Sequence, residues 1–373
     1  MTQGRSIGDD EDAVAHLRVA FIMCTEVGLR TQYLNWRAGL TRDHDIDPVW
    51  IEVDWWRPEG LLERIPVVPR AVKARLRAQL EIRDGMTAGP FDAVFVAGHT
   101  LYGLSSILAR QPYFVTADVT AKQLYAFGDL YGKQPSSFGF VEARKHGERT
   151  RLYRRAAALF PWSHWAAASM VEDYGADPAH VHVIPPGVDV ERWRCPARAD
   201  RESVRILFVG GDFERKGGDL LLAWAARTAA RGWELDLVTR APVGSPDPRI
   251  RVHNGIAPNS PELMELYRRA DVFALPTRGD CYSLAGMEAM AAGLPVVLSR
   301  TGGTGDIIRD GETGFLIGPG DGAALGERLE YLAARPAERR QMGACARADA
   351  EERYDSRRNI ARTVKTMRAA LGA

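Results

Sequence analysis

Short apolar runs alternate with helix-like segments along most of the chain. Continuous apolar strands separated by helices are typical of parallel sheets that helices cover on both faces. The pattern therefore predicts an α/β protein built from two series of buried strands. The first series comprises residues 17–23, 49–53, 92–97, 113–116, 157–160 and 181–184, and the second comprises residues 204–209, 233–239, 250–253, 271–275, 295–298 and 315–317.

A proline-rich and charged stretch, IPPGVDVERWRCPARADRES at residues 184–203, divides the two series and is typical of a linker. We therefore expect two Rossmann-like domains that face each other across a cleft, because ligands of such sheets bind at the carboxyl ends of the strands. The predicted parts are a disordered lead-in (1–16), an N-terminal domain (17–190), a linker (191–203), a C-terminal domain (204–355) and a last helix that crosses back to the N-terminal domain (356–373).

Composition narrows the possible functions. The 373 residues carry 49 Lys and Arg against 48 Asp and Glu, and this balance disfavours a nucleic-acid-binding protein. The four cysteines form no CxxC pair, so a disulfide framework or a zinc site is not indicated. The polar start lacks the pattern of a signal peptide, and no apolar run approaches the roughly 20 residues of a membrane span. We expect a cytoplasmic protein and leave its oligomeric state open.

The loop after the strand at 204–209 has the layout of a phosphate-binding turn. It reads VGGDFERKGGDLLLAWAA, in which Arg215, Lys216 and Gly217 stand before an amphipathic helix. Backbone N–H groups and the helix dipole favour an anion there, and a lysine adds a full positive charge. The order of residues is not that of a Walker loop. A turn with solvated charges is an equally good interpretation of this motif alone.

A second loop, RGDCYSLAGMEAMAAGLPVV at residues 278–297, places Asp280 and Glu288 eight positions apart. Ser283 is suited to cap the start of a helix, and Gly293 is suited to end it. Such a pair of acids could bind a metal, share a proton or hold two parts of one ligand. Because Asp280 is on a loop and Glu288 on a helix, we favour the third of these, in which the two acids hold different parts of one ligand. Without further context, a turn-forming aspartate and a surface glutamate remain the stronger interpretation.

Together with TGGTGDIIRDGETGFLIGPGD at residues 301–321, these loops closely resemble the nucleotide-binding domain of retaining glycosyltransferases of family 4, which have the GT-B fold. The family motif is two glutamates separated by seven residues, followed by Ala-Met-Ala-x-Gly-x-Pro-Val-Val. Here Asp280, seven residues and Glu288 precede AMAAGLPVV. Lys216-Gly217, Gly302-Gly303 and Asp306 also match. The resemblance is strong over residues 157–352 and loose in the N-terminal half.

The resemblance implies roles for particular residues. Glu288 would bind the ribose hydroxyls of a sugar nucleotide, Asp280 would contact the donor sugar, and Lys216 would neutralise the diphosphate as it leaves. We expect a loop lysine to pack little and therefore to contribute little to stability. The other residues implied at the donor are Cys281, Tyr282, Ser283 and Leu284 near the phosphates, and Arg240, Asn254 and Ile256 near the base.

Four positions depart from the family pattern. The first acid is Asp280 instead of glutamate. Gly211 stands where an arginine is often found, and Arg215 could replace that arginine. Asp118 occupies the place of a histidine that touches the sugar. Whether Asp118 and Asp280 change the donor preference or the activity is left open. The usual glycine pair of the first N-terminal loop is reduced to Gly28.

Other features have weaker signals. His99 follows a predicted strand and could assist the acceptor, although an ordinary loop residue is equally plausible. DHDID at 43–47 looks like a metal site but is better explained as a solvated turn, and we assign no metal. The basic run at 143–155 could meet anionic lipid headgroups or a phosphorylated acceptor, with a solvated helix face as the default interpretation. The basic stretch at 70–79 has the same interpretation.

These observations predict a metal-independent retaining glycosyltransferase without a cofactor. It would move a hexosyl group from a nucleoside-diphosphate sugar, UDP favoured over GDP, to a hydroxyl of a sugar, glycolipid or small molecule. Alternatives are a GT-B epimerase or phosphorylase-like enzyme and a catalytically weak sugar-nucleotide-binding subunit. A dehydrogenase is disfavoured, because no strand is followed by GxGxxG with an acid about 20 residues later. Peripheral contact with the inner membrane face is left open.

Overall fold

The computed structural model of the chain describes residues 16–25, 27–40, 46–57, 60–98, 104–196 and 201–372. His99, most of the predicted lead-in and residues 43–45 of the DHDID stretch lie outside these ranges. None of the described helices is both long enough and apolar enough to cross a membrane.

The described strands form two sheets in which every pairing is parallel. The first sheet has the order β2-β1-β3-β4-β5 and contains β1 (Leu17–Cys24), β2 (Ile46–Val53), β3 (Ala93–Ala97), β4 (Tyr113–Ala117) and β5 (Ala158–Pro161). The second has the order β11-β10-β9-β6-β7-β8 and contains β6 (Val204–Val209), β7 (Trp233–Val238), β8 (Ile250–His253), β9 (Val272–Leu275), β10 (Val296–Ser299) and β11 (Gly314–Ile317).

Helices connect the strands of both sheets. Those of the first half are α1 (Val27–Leu40), α2 (Arg70–Gly85), α3 (Ser105–Leu108), α4 (Ala121–Ala126), α5 (Gly139–Arg155) and α6 (His164–Glu172). Those of the second half are α7 (Gly218–Arg227), α8 (Pro261–Arg269), α9 (Leu284–Ala291), α10 (Gly322–Ala334), α11 (Pro336–Arg353) and α12 (Ser356–Leu371). Most strand residues are buried, which explains why the strands appear in the sequence as continuous apolar runs. The predicted architecture of two Rossmann-like domains is confirmed.

The last helix, α12, returns to the first domain. Ile360, Val364 and Met367 lie at helical spacing and are buried in the apolar cluster of the first sheet together with Trp36. Two backbone bonds hold the start of this crossing: the N–H of Val188 donates to the carbonyl of Tyr354 at 2.7 Å, and the N–H of Ser356 donates to the carbonyl of Val188 at 2.9 Å. The crossover predicted from the sequence is therefore confirmed.

One predicted strand is wrong. Residues 181–184 form only a single bridge, between Val181 and Leu159, although the N–H of Ile184 still donates to the carbonyl of Pro161 at 3.0 Å. Pro185 and Pro186 follow at once and have no N–H to donate, so the pairing stops. By contrast, β2 begins earlier than expected and contains Pro48. The sheet tolerates this proline because β2 is an edge strand.

Candidate functional site

The helix α9, which carries one of the two acids, has the ends that the sequence predicts. The Ser283 side chain accepts a hydrogen bond from the N–H of Gly286 at 3.1 Å. Gly293 has a φ of 73°, a left-handed conformation that glycine adopts without strain. On its outer side α9 is covered by α11, where a side chain at Gly343 would lie 2.5 Å from the carbonyl oxygen of Gly293. Nearly every residue of α9 is therefore buried.

Glu288 lies inside this packed environment, and the interpretation of it as a surface residue is wrong. Its exposed fraction is 5%. The Tyr267 hydroxyl donates to its Oε2 at 3.1 Å, and Trp193 packs edge-on against the Tyr267 ring with 5.0 Å between the centroids. Burial raises the pKa of Glu288 to about 7, although the Tyr267 hydrogen bond acts in the opposite direction. Glu288 is thus an acid whose charge is poorly solvated.

Asp280 is equally buried but has a cationic partner. Its exposed fraction is 4%, and Lys216 Nζ lies 2.5 Å from its Oδ2. Gly302 closes the other side of this loop, where a side chain would lie 2.2 Å from the carbonyl oxygen of Asp280. The N–H of Gly303 donates to the carbonyl of Cys281 at 2.8 Å. The glycine pair noted in the sequence therefore lets a neighbouring backbone support the Asp280 loop.

The turn before α7 brings Lys216 to this position. Gly217 has a φ of 80°, and a side chain there would lie 2.1 Å from the carbonyl oxygen of Pro276. Only glycine permits this close approach between the turn and the end of β9. The Lys216 side chain is consequently held over the Asp280 loop at the start of α7, where a helix dipole favours anions.

Asp118 joins these two residues from the opposite domain. It follows β4, and its Oδ1 is buried without a hydrogen bond to any other described residue. Burial, and then the negative charge of Asp280, raise its pKa to about 6, while Lys216 acts in the opposite direction. The sequence suggests that four residues act on the reacting sugar, diphosphate or acceptor, and the structure brings three of them together: Lys216, Asp280 and Asp118. The fourth, His99, lies outside the described residues.

Arg215 contacts a residue that the sequence reasoning missed. Its guanidinium lies over the ring of Tyr131, 4.5 Å from the centroid, and its Nη1 donates to the Tyr131 hydroxyl at 3.2 Å. The same Nη1 donates to the carbonyl of Gly279 at 2.8 Å. Tyr131 belongs to the N-terminal domain, and no motif spacing links it to Arg215. The only signal in the sequence is its place shortly after Asp118.

The remaining predicted residues have varied surroundings. Asn254 Nδ2 donates to the carbonyls of Thr239 and Ala241 at 2.8 and 3.0 Å, so its side chain amide joins the loops after β7 and β8. A side chain at Gly211 would lie 2.8 Å from Nε of Arg240, which is exposed. Gly28 is an exposed residue in the first turn of α1.

Ile256 is half-buried against the core of the C-terminal domain. Cys281, Tyr282, Ser283 and Leu284 form the buried entry to α9, and Tyr282 packs edge-on against Trp162 of the other domain. The donor-binding roles of all these residues stay predictions. Among the residues that the structure describes, no three His, Cys, Asp or Glu side chains come together as a possible metal site.

Comparisons with known proteins agree with this architecture. The family model for glycosyl transferases group 1 matches residues 203–335, and the model for the glycosyl transferase 4-like domain matches residues 20–187. The D-inositol 3-phosphate glycosyltransferase of Rhodococcus jostii (strain RHA1) is 34% identical over 251 residues, which are 59% of this chain and 54% of that protein. The protein of the same name from Geodermatophilus obscurus is 35% identical over 340 residues, which are 73% of this chain and 74% of that protein.

Solved structures share the fold at low sequence identity. Sucrose-phosphate synthase from Thermosynechococcus elongatus superimposes with a TM-score of 0.75 at 16% identity, covering 95% of this chain and 99% of that one. HepE from Anabaena, in complex with UDP-glucose, has a TM-score of 0.67 at 17% identity and covers 94% and 100%. The chain spans little more than half the length of the first curated relatives. With both domains matched and a relative covered over most of its length, the chain belongs to the family 4 type of group 1 glycosyl transferases.

Proposed function

We propose that the protein is a retaining glycosyltransferase that moves a hexosyl group from a nucleoside-diphosphate sugar to an acceptor hydroxyl. The observation that carries this proposal is the meeting of Asp118, Lys216 and Asp280 where the two domains face each other. Such a cluster offers a cation for a departing diphosphate and two acids for sugar hydroxyls. Glu288, in the second turn of α9, extends the site toward a second part of the same ligand.

In the proposed reaction each residue has a distinct task. Lys216 and the start of α7 stabilise the negative charge that develops on the diphosphate when the sugar–oxygen bond breaks. Asp280 and Asp118 accept hydrogen bonds from donor-sugar hydroxyls and so fix the ring. The acceptor hydroxyl attacks from the side that the diphosphate leaves, and a phosphate oxygen takes its proton. No metal ion or cofactor takes part.

UDP is the proposed carrier, and the acceptor class follows the relatives. HepE was solved with UDP and with UDP-glucose, and the relatives named above are inositol-phosphate glycosyltransferases. We therefore propose a UDP-hexose donor and a hydroxyl of a sugar, glycolipid or small polyol as the acceptor. An assay of nucleotide release with UDP- and GDP-hexoses, with and without EDTA, tests this proposal.

The outcomes of that assay separate the rival functions. Release of UDP with retention of the anomeric configuration in the product supports the proposal. Release of sugar nucleotides with altered stereochemistry at another carbon would identify an epimerase. Donor binding without turnover would identify a sugar-nucleotide-binding subunit. Loss of activity in EDTA, restored by Mg²⁺ or Mn²⁺, would contradict metal independence.

We also infer that the N-terminal domain contacts an anionic membrane surface, through a different segment from the run at 143–155. In α5 part of that run is buried, and Arg149 is paired with Glu142. By contrast, six large aliphatic side chains between residues 61 and 80 are 42–88% exposed. We define this apolar face as Leu61, Ile65, Val67, Val72, Leu76 and Leu80. Its last three members recur every fourth residue and form one stripe on α2.

The charges around the apolar face favour anionic lipid over a second copy of the chain. Glu63 pairs with Arg77, and Glu81 pairs with Arg57 and Arg77, so these two acids are neutralised within the domain. Arg64, Arg70 and Arg83 are exposed around the face and outnumber the exposed acid Asp84 at the end of the α2 stripe. Two copies meeting here would bring arginines together, whereas a bilayer with anionic headgroups complements them.

Cosedimentation with vesicles tests the membrane proposal. Wild-type protein should bind phosphatidylglycerol-containing vesicles and leave pure phosphatidylcholine vesicles largely free. Leu76→Glu with Leu80→Glu should reduce binding at least about tenfold, because burial of each side chain contributes roughly 1.5–3 kcal/mol. Phe138→Glu with Phe140→Glu, an equally drastic change at two exposed residues outside the face, is the control. Dimerisation that the paired Leu variant abolishes, without vesicle binding, would overturn the proposal.

A further inference from the structure

One segment of the N-terminal domain lies directly against the Asp280 loop of the C-terminal domain, residues 276–283. This segment, residues 119–132, contains α4 and the turn after it. Val119, Leu124 and Cys281 form a small apolar cluster with Phe127, Tyr131 and Trp165 packed against it. A side chain at Gly279 would lie 2.9 Å from Leu130 Cδ1. Asp118 immediately precedes the segment, so the contact adjoins the three clustered candidate residues.

Tyr131 is the residue of this segment whose hydroxyl lies beside Arg215 and Cys281 of the other domain. Its hydroxyl oxygen accepts from Arg215 Nη1 at 3.2 Å and from the Cys281 thiol at 3.5 Å. A thiol and a phenol can each donate or accept, so the Cys281 sulfur is a weak alternative acceptor for the hydroxyl hydrogen, which a diphosphate oxygen would replace with a much stronger one. Burial, and then the charge of Asp280, raise the pKa of Tyr131 well above its ordinary range, so the phenol keeps this proton.

Arg215 is positioned by the same residue. Its Nε donates to Asp212 at 3.0 Å, and its Nη1 donates to the Tyr131 hydroxyl and the Gly279 carbonyl. Its flat guanidinium lies over the Tyr131 ring. These contacts leave its Nη2 without a hydrogen bond to any described residue. A guanidinium fixed on an aromatic ring with a free edge is well suited to phosphate oxygens.

We propose that Tyr131 belongs to the donor site, where its ring holds Arg215 in place for the diphosphate and its hydroxyl donates to a diphosphate oxygen. This inference rests on the proposed function. Because Tyr131 and Arg215 come from different domains, the complete anion site forms only when the cleft is closed. The departing diphosphate is therefore held by Lys216 from one domain and by an arginine that the other domain positions.

Two substitutions separate the hydroxyl from the ring. Tyr131→Phe removes the hydroxyl and keeps the stacking surface, and it should weaken binding of nucleoside diphosphate about tenfold, the scale of a hydrogen bond to a charged group. Tyr131→Leu removes both and should weaken binding several-fold further, the scale of a partly buried cation–π contact. Calorimetric titration with UDP and GDP measures both effects without any turnover.

A second pair of variants tests whether the ring acts through Arg215. In the Arg215→Met background the Phe and Leu variants of Tyr131 should bind UDP equally, because no guanidinium remains to be positioned. Leu130→Ala is the matched control. It removes an apolar contact that the residue next to Tyr131 makes with the Asp280 loop, and it should bind UDP like the wild type. Thermal unfolding of each variant confirms that it is folded.

The outcomes separate this inference from the proposed function. Turnover by the wild type with unchanged UDP binding in both Tyr131 variants overturns the inference and leaves the function intact. A Leu variant weaker than the Phe variant in the Arg215→Met background assigns Tyr131 a packing role only and also overturns it. UDP binding that depends on Tyr131, in a chain that turns over no donor, supports the inference and refutes the glycosyltransferase activity. A wild type that neither binds nor releases nucleotide overturns both.

Discussion

Asp280 and Glu288 stand eight positions apart and are almost equally buried, yet their surroundings differ. Asp280 lies where the two domains meet and is paired with Lys216, with Asp118 nearby. Glu288 lies within the C-terminal domain, where its one hydrogen-bond donor among the described residues is the neutral hydroxyl of Tyr267. Burial raises the pKa of Glu288 to about 7, whereas Asp280 has a full positive charge beside it.

One sequence motif therefore supplies two kinds of acid. The charge of a buried acid with a cation beside it is already compensated in the free protein. A ligand that binds this acid must therefore displace the cation. A buried acid with only a hydroxyl partner gains most when a ligand brings two further donors, such as the adjacent hydroxyls of a ribose. The geometry therefore favours a role for Asp280 at the reacting sugar, beside the Lys216 charge, and a nucleotide-binding role for Glu288.

Removing Lys216 should produce the largest effect. Lys216→Ala should lower turnover by roughly 10²–10³-fold, the scale for a preorganised charge at developing anionic oxygens. It should also destabilise the protein by up to about 3 kcal/mol, because it leaves the buried Asp280 carboxylate without its partner. The expectation that a loop lysine contributes little to stability is therefore revised. Nucleotide release and urea unfolding measure the two effects.

The double variant Lys216→Ala with Asp280→Asn is the control for that prediction. It should recover most of the lost stability, because the uncompensated charge is gone, and it should remain inactive. Stability that stays low in the double variant, or near-normal turnover in the single one, would contradict the assigned role of the pair.

The stability contributed by Glu288 should depend on pH. Its folded pKa of about 7 lies above the ordinary value of 4.5, so its stabilising contribution is fully present below about pH 4.5 and is lost as the pH rises to about 7. In the free protein the loss should be at most roughly 3 kcal/mol. Urea unfolding of the wild type and Glu288→Gln at several pH values measures it. The exposed Glu327→Gln variant should keep the wild-type pH dependence.

The two acids should also respond differently to free nucleotide. Glu288→Gln should weaken binding of nucleoside diphosphate at least roughly tenfold, since charge-assisted bonds to the ribose are lost. Asp280→Asn should leave that binding unchanged or make it tighter, because it frees the Lys216 charge, while it depresses turnover of the whole donor. Calorimetric titration decides the matter. Equal losses in both variants, or a loss in Asp280→Asn alone, would reject this division of roles.

Asp118 should give the smallest effect and one that depends on pH. Its pKa of about 6 predicts that turnover falls as the pH drops below this value, because the protonated acid no longer accepts strong hydrogen bonds. Asp118→Asn should reduce turnover at saturating donor about fivefold at pH 8, remove the part of the acid limb near pH 6 and leave nucleotide affinity unchanged. An identical pH–rate profile in this variant would reduce Asp118 to a loop residue.

Much of the local structure could be predicted from the sequence. The start and end of α9 follow from Ser283 and Gly293, since caps are formed between residues that are close in the chain. All but one of the proposed strands are present, and the exception failed where two consecutive prolines removed the donors for pairing. The motif around Asp280 and Glu288 also identified the family, because its spacing is encoded within a single loop and helix.

The sequence alone was thus sufficient to predict nearly all the strands, the two-domain architecture and the stretch that holds the two acids. Three features are visible only in the folded protein: α11 covers α9 and buries Glu288, Asp118 lies near Asp280, and Tyr131 contacts Arg215 across 84 positions of sequence separation. The physical reason is that hydrogen bonds and burial act over a few ångströms in space. Charges and solvation at the site therefore depend on which distant elements the fold brings together.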